Sequence, residues 1–580
     1  MKDSYWAKPI MVRHESWLLG QTLEERIAPD AEIRQFDALL RRVDWSGWEA
    51  SYRRDRGQPP IHPRLVAGTI LFCTLRGWHS SRRMEKAAGD WLELVWFLEG
   101  RKIDHSTFCY FRKTFRSQLE ELFTQMARLA ARPALREGIN GVGVDGTRIR
   151  ANSDRHGART AASLVRRLEQ VAEQRKAVLD RMDRLDASEA LEEALDTTGI
   201  ENVETLVEGL KALDAQRVKL ETALAVARAR DKIKQDSDGP NVTATRVPVS
   251  DPDAHLLPNK EGGYAPNYTP MLAVDLASGA ILDARVPDGA EEAATLPEIV
   301  AASALRLERP IEAALADGNF ASGPNLKHFE QPGQPTLYAP ACEPVPDVVK
   351  RENPREPVAV EHWGDLPMSG KGDKARLTRE AFVYEAGEDV YYCPQGRALR
   401  RKGQEQCKWK SGETYLRWRY QSESCAGCPL ASRCLSGKAT TRSVIRDEYQ
   451  SSRERHCARM NDPTARAIYA RRAPVVEGTF GYIKQAMGFR RFLTRGRGNV
   501  TGEWLWVCVA FNAGKILRRL PAAGRTTPQH KPKSALRGVA NGQTVSKDRL
   551  KAAAGAVLAI WMAFALLARS TPCRAVFRVA

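Results

Sequence analysis

The stretch IEAALADGNFASG, residues 311–323, reads as a short apolar strand that stops at a carboxylate, Asp317, and then turns through Gly318 and Gly323. A side chain in that position has left the apolar core but is still fixed by the sheet. Working outward, GVGVDGTRIR at 141–150 is a run of small and β-branched residues bounded by turn signals, and reads as the first strand. YTPMLAVDLASGAILDARV at 268–286 reads as two strands around an Ala-Ser-Gly turn. A helix over about 290–306, the strand ending at Asp317, a helix from Pro324 and a strand in PTLYAP at 335–340 follow. This order predicts a mixed α/β sheet with helices on its faces.

In such a sheet Asp145 lies within the first strand and Asp317 ends the fourth, so adjacent central strands bring the two carboxylates together. Glu477 enters from a helix predicted over 474–487, PVVEGTFGYIKQAM, with Pro474 suited to its first turn. Three converging acids repel one another and raise their pKa values if left bare. A pair of divalent cations resolves that repulsion. Hard oxygen donors suit Mg²⁺ or Mn²⁺, and two such ions about 3.5–4 Å apart assist in-line displacement at phosphorus. Each acid also has a local reading: Asp317 as a turn or helix cap, and Glu503 as the first-turn acid of an apolar helix predicted over 503–519. Asp275, which also follows a strand and precedes a turn, competes with Asp317 and looks like the turn residue of its own hairpin.

The 580-residue chain carries 89 Lys plus Arg against 71 Asp plus Glu, a net charge of +18, which points to a polyanionic partner, nucleic acid first, or else to a solvated basic surface. At 43% hydrophobic and 28% charged residues, global disorder is excluded. The start, MKDSYWAKPIMVRHESW, lacks the pattern of a signal peptide, so a cytoplasmic protein is expected. The uncharged run at 552–568, AAAGAVLAIWMAFALLA, is Ala-rich and short for a bilayer span; a packed or accessory helix is expected, with no membrane role.

Residues 1–135 read as an all-α region. SSRRMEKAAGDWLELVWF gives two short helices broken at Gly89, and DHSTFCYFRKTF opens on cap residues and continues into Arg112 and Lys113 on exposed positions. The pattern fits a helix-turn-helix reader of DNA, or three packed helices without that role. Within residues 136–340 the sheet is interrupted at 160–233 by Leu164, Leu168, Val171, Val178, Met182 and Leu185, then Leu206, Leu210, Leu213, Leu220 and Leu224. Their 4-3 spacing predicts a coiled-coil hairpin joined near Thr197–Asn202, either an arm for dimerisation or DNA or simply a packed pair.

Residues 341–465 form a Cys-rich insertion expected to be loop-rich. Five of the eleven cysteines fall within 393–434, which suits a metal site better than a disulfide framework. Cys393, Cys425, Cys428 and Cys434 make a tetrahedral Zn²⁺ set of structural type, with Cys407 able to replace Cys393; unmetallated thiols are the alternative. Residues 466–520 complete the core, and 521–580 form a variable tail. GFRRFLTRGRG at 488–498 interleaves Arg490, Arg491, Arg495 and Arg497 with Phe489 and Phe492, guanidinium forks for phosphates beside rings that can pack on sugars or bases.

Taken together, GVDGTRIRANSD at 143–154, ADGNFASG at 316–323 and VVEGTFGYIKQAMGFRRFLTRG at 475–496 resemble the segments carrying the three acids of insertion-sequence DDE transposases. PPIHPRLVAGTILFCTLRGWHSSRRMEKA is similar to the helical domain preceding their core. The resemblance spans about residues 30–520. It implies a ribonuclease H-like core, Asp145, Asp317 and Glu477 as catalytic ligands of two Mg²⁺ or Mn²⁺ ions, and Lys484, two turns past the Glu, on phosphate. It also implies a Cys-rich insertion, terminal inverted repeats and target DNA as partners, no small-molecule substrate, and a homo-oligomer that pairs two ends. Tyr469 and Arg472 precede Glu477 at a spacing one residue longer than in some branches. A non-catalytic DNA-binding derivative and a stand-alone nuclease are the competing readings.

Overall fold

The computed structural model describes residues 6–519 except 15–21, 53–57, 133–139, 193–202, 239–242, 259–261, 290–291, 341–345, 371, 373–374 and 409–413. The tail from 520 on, with the apolar run at 552–568, lies outside the described residues, as do the expected hairpin joint near Thr197–Asn202 and the expected boundary at 135. No helix among the described residues is long and apolar enough to cross a membrane.

The central sheet has five strands: β1 (Gly141–Gly146), β2 (Met271–Asp275), β3 (Ile281–Arg285), β4 (Ala313–Leu315) and β5 (Thr336–Tyr338). Their spatial order is β5-β4-β1-β2-β3. β1, β2 and β3 run antiparallel in succession, while β1, β4 and β5 are parallel. The predicted hairpin and the alternation of strand and helix are therefore present, in a mixed α/β fold. Alternation along β1 sends Val142 and Val144 into the core under the helix Leu296–Leu307, and leaves Gly141, Gly143 and Asp145 on the opposite face. The Thr269-Pro270 pair falls between the strand Tyr264–Tyr268 and β2.

That opposite face carries the helix Arg472–Gln485, the Glu helix. Gly143 allows its approach: a Cβ there would stand 2.4 Å from Val476 Cγ2. Behind it runs the last helix, Arg497–Arg519, which begins six residues before the start predicted at 503. Trp504, Trp506, Val509 and Ala513 of that helix are buried in one core with Phe72, Phe108 and Phe123 of the N-terminal helices. The all-α region and the last helix thus fold around the same apolar centre. Its helices include Ser81–Asp90, Leu92–Leu98 and His105–Thr114. The break between the first two falls at Trp91, in extended conformation, and Gly89 stays helical, because nothing around it requires a turn there.

The helical interruption is an antiparallel pair, Ala161–Glu192 and Val203–Asp238. Leu164 and Val171 pack on Leu220, Ala223, Leu224 and Ala227, and Arg175 pairs with Asp214 at 3.0 Å. Residues 341–465 are not the loop-rich insert expected. They contain a five-stranded antiparallel meander, β6 (Val383–Glu385), β7 (Val390–Tyr392), β8 (Ala398–Lys408), β9 (Thr414–Ser422) and β10 (Ser443–Asp447). Tyr391, Leu399, Tyr420 and Val444 give it an apolar core of its own. The boundary drawn at 465 falls inside the helix Pro463–Ala470.

Gly143→Ala should lower stability by about 1–3 kcal/mol, the usual range for overpacking a filled core. Equilibrium denaturation measures it, and Val476→Ala in the same chain should recover part of the loss. An unchanged midpoint in Gly143→Ala would show that the Glu helix is not seated on β1 in this way.

Candidate functional site

The parallel register of β1 and β4 pairs Gly143 with Leu315. Two residues on come Asp145, still within β1 and on the same face as Gly143, and Asp317, two residues past the end of β4, whose charge acts on Asp145. Asp317 accepts a hydrogen bond from the Gly318 amide at 2.5 Å and caps the short turn Gly318–Phe320, as its cap reading expects. Gly318 is required for a close approach, since a Cβ there would lie 2.5 Å from the Pro340 carbonyl oxygen. Asp275 stands at the other end of the sheet, opposite Val142. It is buried in the hairpin turn, where it accepts from the Ser278 amide at 2.7 Å, and so does not compete for the site.

Glu477 follows Val476 on the Glu helix and is exposed. Burial holds the Asp145 carboxyl above the ordinary carboxylate range. Arg472 and the Gly146 amide oppose that rise, while the charges of Asp317 and Glu477 add to it, so both acids lie within the field of Asp145. Arg472, buried on the first turn of the Glu helix, pairs with Asp145 Oδ2 at 2.7 Å. Tyr469, on the preceding helix, shares a hydrogen bond with Arg472, and burial raises its phenol pKa, with Asp317 and Asp145 adding to the rise. Lys484 Nζ donates to Thr147 Oγ1 at 2.5 Å and to the Arg148 carbonyl at 3.1 Å, just beyond β1.

A fourth acid, Glu292, lies within the field of Asp145. Burial raises its pKa, and Thr269 hydrogen-bonds to it. It falls in the helix predicted over about 290–306 but precedes the observed helix Leu296–Leu307, and nothing in the stretch DGAEEAA singled it out as part of the site.

The loop at 488–496 is built differently from the expectation. Phe489 and Phe492 are fully buried, packed with His79, Trp504 and Tyr268, and cannot reach nucleic acid. They anchor the loop. The Arg150 amide donates to the Arg490 carbonyl at 3.2 Å, and the Phe492 amide to the Arg150 carbonyl at 2.9 Å. Glu503, inside the last helix and not in its first turn, accepts from the amides of Leu493 and Thr494. Asp251 and Asp253 accept from the amides of Gly496 and Arg497, both at distances of 3.0 Å or less. The acid-rich SDPDAH stretch could have signalled this clamp. Arg490, Arg491, Arg495 and Arg497 remain exposed around it, with Arg491 on Asn152 Oδ1 at 2.9 Å and Arg497 on Asp288 at 3.2 Å.

In the helix His105–Thr114, Lys113 is exposed as expected. Arg112 is not a surface cation. It donates to the His79 carbonyl and to Met84 Sδ, both at 3.2 Å, and burial lowers its pKa.

Cys393, Cys425, Cys428 and Cys434 line one small cavity together with Leu377, Leu399 and Leu430. Burial pushes the Cys434 thiol up to about 11 and raises Cys393 as well, with neighbouring thiols adding to both. Cys407 lies away from them on β8, opposite Tyr415, and does not substitute for Cys393. Cys457 is disulfide-bonded, an exception to the expectation of free or metal-bound thiols. No group of three or more His, Cys, Asp or Glu side chains among the described residues is arranged ready to hold a metal ion. At the acids, Arg472 pairs with Asp145 Oδ2.

Residues 392–517 match the family described as a transposase DDE domain, and residues 21–114 match the family described as a transposase domain (DUF772). A search of curated proteins finds no match. Both matched families are transposase domains, which bears out the resemblance to insertion-sequence DDE transposases. The first match contains Glu477, Lys484, the four arginines and the four thiols; Asp145 and Asp317 lie outside both.

Replacing Arg472 by Met removes the cation that opposes burial at Asp145, so the carboxyl should titrate higher still. A raised folded-state value means that the protonated form is favoured by the fold. The group's contribution is therefore complete below the unfolded pKa and is lost as pH rises through the raised one. Carboxyl-carbon NMR titration of Arg472→Met against Arg472→Met/Asp145→Asn should show an upward midpoint, and stability falling more steeply with pH across that window. An unmoved midpoint would remove the ion pair from the account.

Proposed function

We propose that this chain is a DDE transposase that cleaves DNA at the ends of its element and joins the freed ends to target DNA. The observation that carries the reading is that Asp317, just past the end of β4, and Glu477, on the helix seated on Gly143, both act on Asp145 of the adjacent parallel strand β1. The strand order β5-β4-β1-β2-β3 supports the ribonuclease H-like core that the resemblance implies.

Asp145, Asp317 and Glu477 would hold Mg²⁺ or Mn²⁺, and their hard oxygens and mutual repulsion fit such ions. When bound, the ions supply Lewis-acid stabilisation of the attacking and leaving oxygens at phosphorus. Arg472 serves as the resident counter-charge of Asp145 and must release Oδ2 for that carboxylate to act as a ligand. Tyr469 then keeps the guanidinium close by. Lys484 and the arginines at 490–497 present cations on the same side of the core, where the strand backbone would lie. Hydrolysis of one phosphodiester bond at each end leaves a 3′-hydroxyl, which then attacks a target phosphodiester and displaces another 3′-hydroxyl. No covalent link to the protein is required. Pairing of two ends calls for at least a dimer.

The four thiols of the insertion are proposed to hold a structural Zn²⁺. The thiols of Cys393 and Cys434, which burial raises, stay protonated on their own, and a metal is what would favour their thiolates. The helix His105–Thr114 with its exposed Lys113 is proposed as a DNA-facing element of the N-terminal region.

Strand cleavage and joining with purified protein, Mg²⁺ or Mn²⁺ and the DNA flanking its gene tests the first reading. Wild type should nick and join, and Asp317→Asn should lose both while still binding DNA. Cleavage without joining would indicate a nuclease, and binding without cleavage in either protein a non-catalytic DNA binder. For the insertion, elemental analysis should find about one zinc per chain. Cys425→Ser/Cys428→Ser should lose it and melt at lower temperature, whereas a metal-free wild type of normal stability would refute the zinc site.

A further inference from the structure

The β8-β9 hairpin extends beyond the sheet that supports it. β7 pairs with β8 only at Ala398–Arg400, and β10 with β9 only at Arg417–Gln421. From Gly403 to Lys408, β8 is paired with β9 alone, and Lys402 is the extra residue of a bulge between Arg401 and Gly403. The hairpin is strongly basic: its described residues carry six cations, Arg400, Arg401, Lys402, Lys408, Arg417 and Arg419, against the one acid Glu405.

The two faces of this ribbon differ. On one, Glu405 takes both Arg417, at 2.7 Å, and Arg419, at 2.6 Å, so that much of the charge there is internally paired. On the other, the cross-strand register aligns Gln404 with Trp418, Gln406 with Leu416 and Lys408 with Thr414. Arg401 at 2.6 Å and Trp418 Nε1 at 3.2 Å both donate to Gln404 Oε1, with the Arg401 guanidinium 5.3 Å from the Trp418 ring, which leaves the Gln404 amide nitrogen as its available donor. Lys402, Gln406 and Lys408 are exposed and have no side-chain partner among the described residues. Two lysines along a strand edge resist pairing with the edge of a second copy. Unpaired cations flanking these amides instead suit a polyanion with a readable surface. The major groove of B-DNA, about 12 Å wide, admits a two-stranded ribbon, and a glutamine amide can pair with the N6 and N7 positions of adenine.

We propose that the β8-β9 ribbon enters the major groove of duplex DNA, with Gln404 and Gln406 toward the base edges and Lys402 and Lys408 on the flanking phosphates. The inference rests on the DNA substrate of the proposed function. It adds a sequence-reading surface outside the acidic site and the loop at 488–498.

Fluorescence anisotropy over a salt series tests it, using the full chain, duplexes tiled across the DNA flanking its reading frame, and an unrelated duplex. Lys402→Glu/Lys408→Glu should weaken binding to every duplex and reduce the slope of log affinity against log salt by roughly 2, one per lost phosphate contact. Gln404→Ala/Gln406→Ala should leave the unrelated duplex unchanged and cut the preference for the best flanking duplex roughly tenfold or more. Lys402→Arg/Lys408→Arg should bind as wild type, and matching melting temperatures exclude misfolding as the cause. Wild-type affinity, preference and salt slope in both altered proteins would overturn the ribbon while leaving the transposase reading in place. Failure of the wild type to bind any duplex would overturn both.

Discussion

Closeness between one helix and one strand governs the rest of this molecule. Val476 lies where a side chain on Gly143 would have to be, so the Glu helix sits directly on the backbone of β1. At that separation Arg472 reaches Asp145 and Glu477 comes within its field, whereas any side chain at 143 pushes the helix away and opens the group. The last helix closes the arrangement from behind, burying Trp504 and Trp506 in a core shared with the N-terminal helices. The large apolar area of those side chains, each worth a few kcal/mol when buried, holds the Glu helix against the strand despite the repulsion among the acids.

The electrostatics follow from that packing. A carboxylate taken out of water is costly unless paired, and Asp145 is compensated by a buried arginine from the helix that also brings Glu477. One element therefore delivers both a repelling and a neutralising charge to the same residue. Charge is handled in a similar way at the loop 488–496. Its arginines stay at the surface because Phe489 and Phe492 are buried beneath them and because Asp251, Asp253 and Glu503 accept its backbone amides. A basic loop fixed in this way presents its cations with little conformational entropy left to lose.

The insertion is a second folded layer with its own core, although its composition of Pro, Gly and charged residues suggested loops. Short strands separated by tight turns look alike in composition to irregular chain, and their pairing is decided by neighbours far away in the sequence. The same limit explains Arg112, which a helical pattern placed at the surface but which the packing of His79 and Met84 against its helix drew inward. It also explains Phe489 and Phe492, where alternation of Arg and Phe describes a DNA-stacking loop and a core-anchored loop equally well.

The sequence by itself determined the order of strands and helices, the hairpin at 268–286, the paired long helices and the acids at strand ends, because these depend on local periodicity and turn chemistry. Asp317 was legible for the same reason: a carboxylate ending an apolar strand stands out against its neighbours. Only the tertiary structure decided which acids share a face, that Arg472 and Tyr469 attend Asp145, that Glu292 approaches it, and which of the basic and aromatic residues face outward. Those outcomes turn on parallel register and on the approach of Asp145 and Asp317, which stand 172 residues apart in the chain. Contacts of that range leave no period in the chain, since they arise only when separate elements bury their apolar faces together.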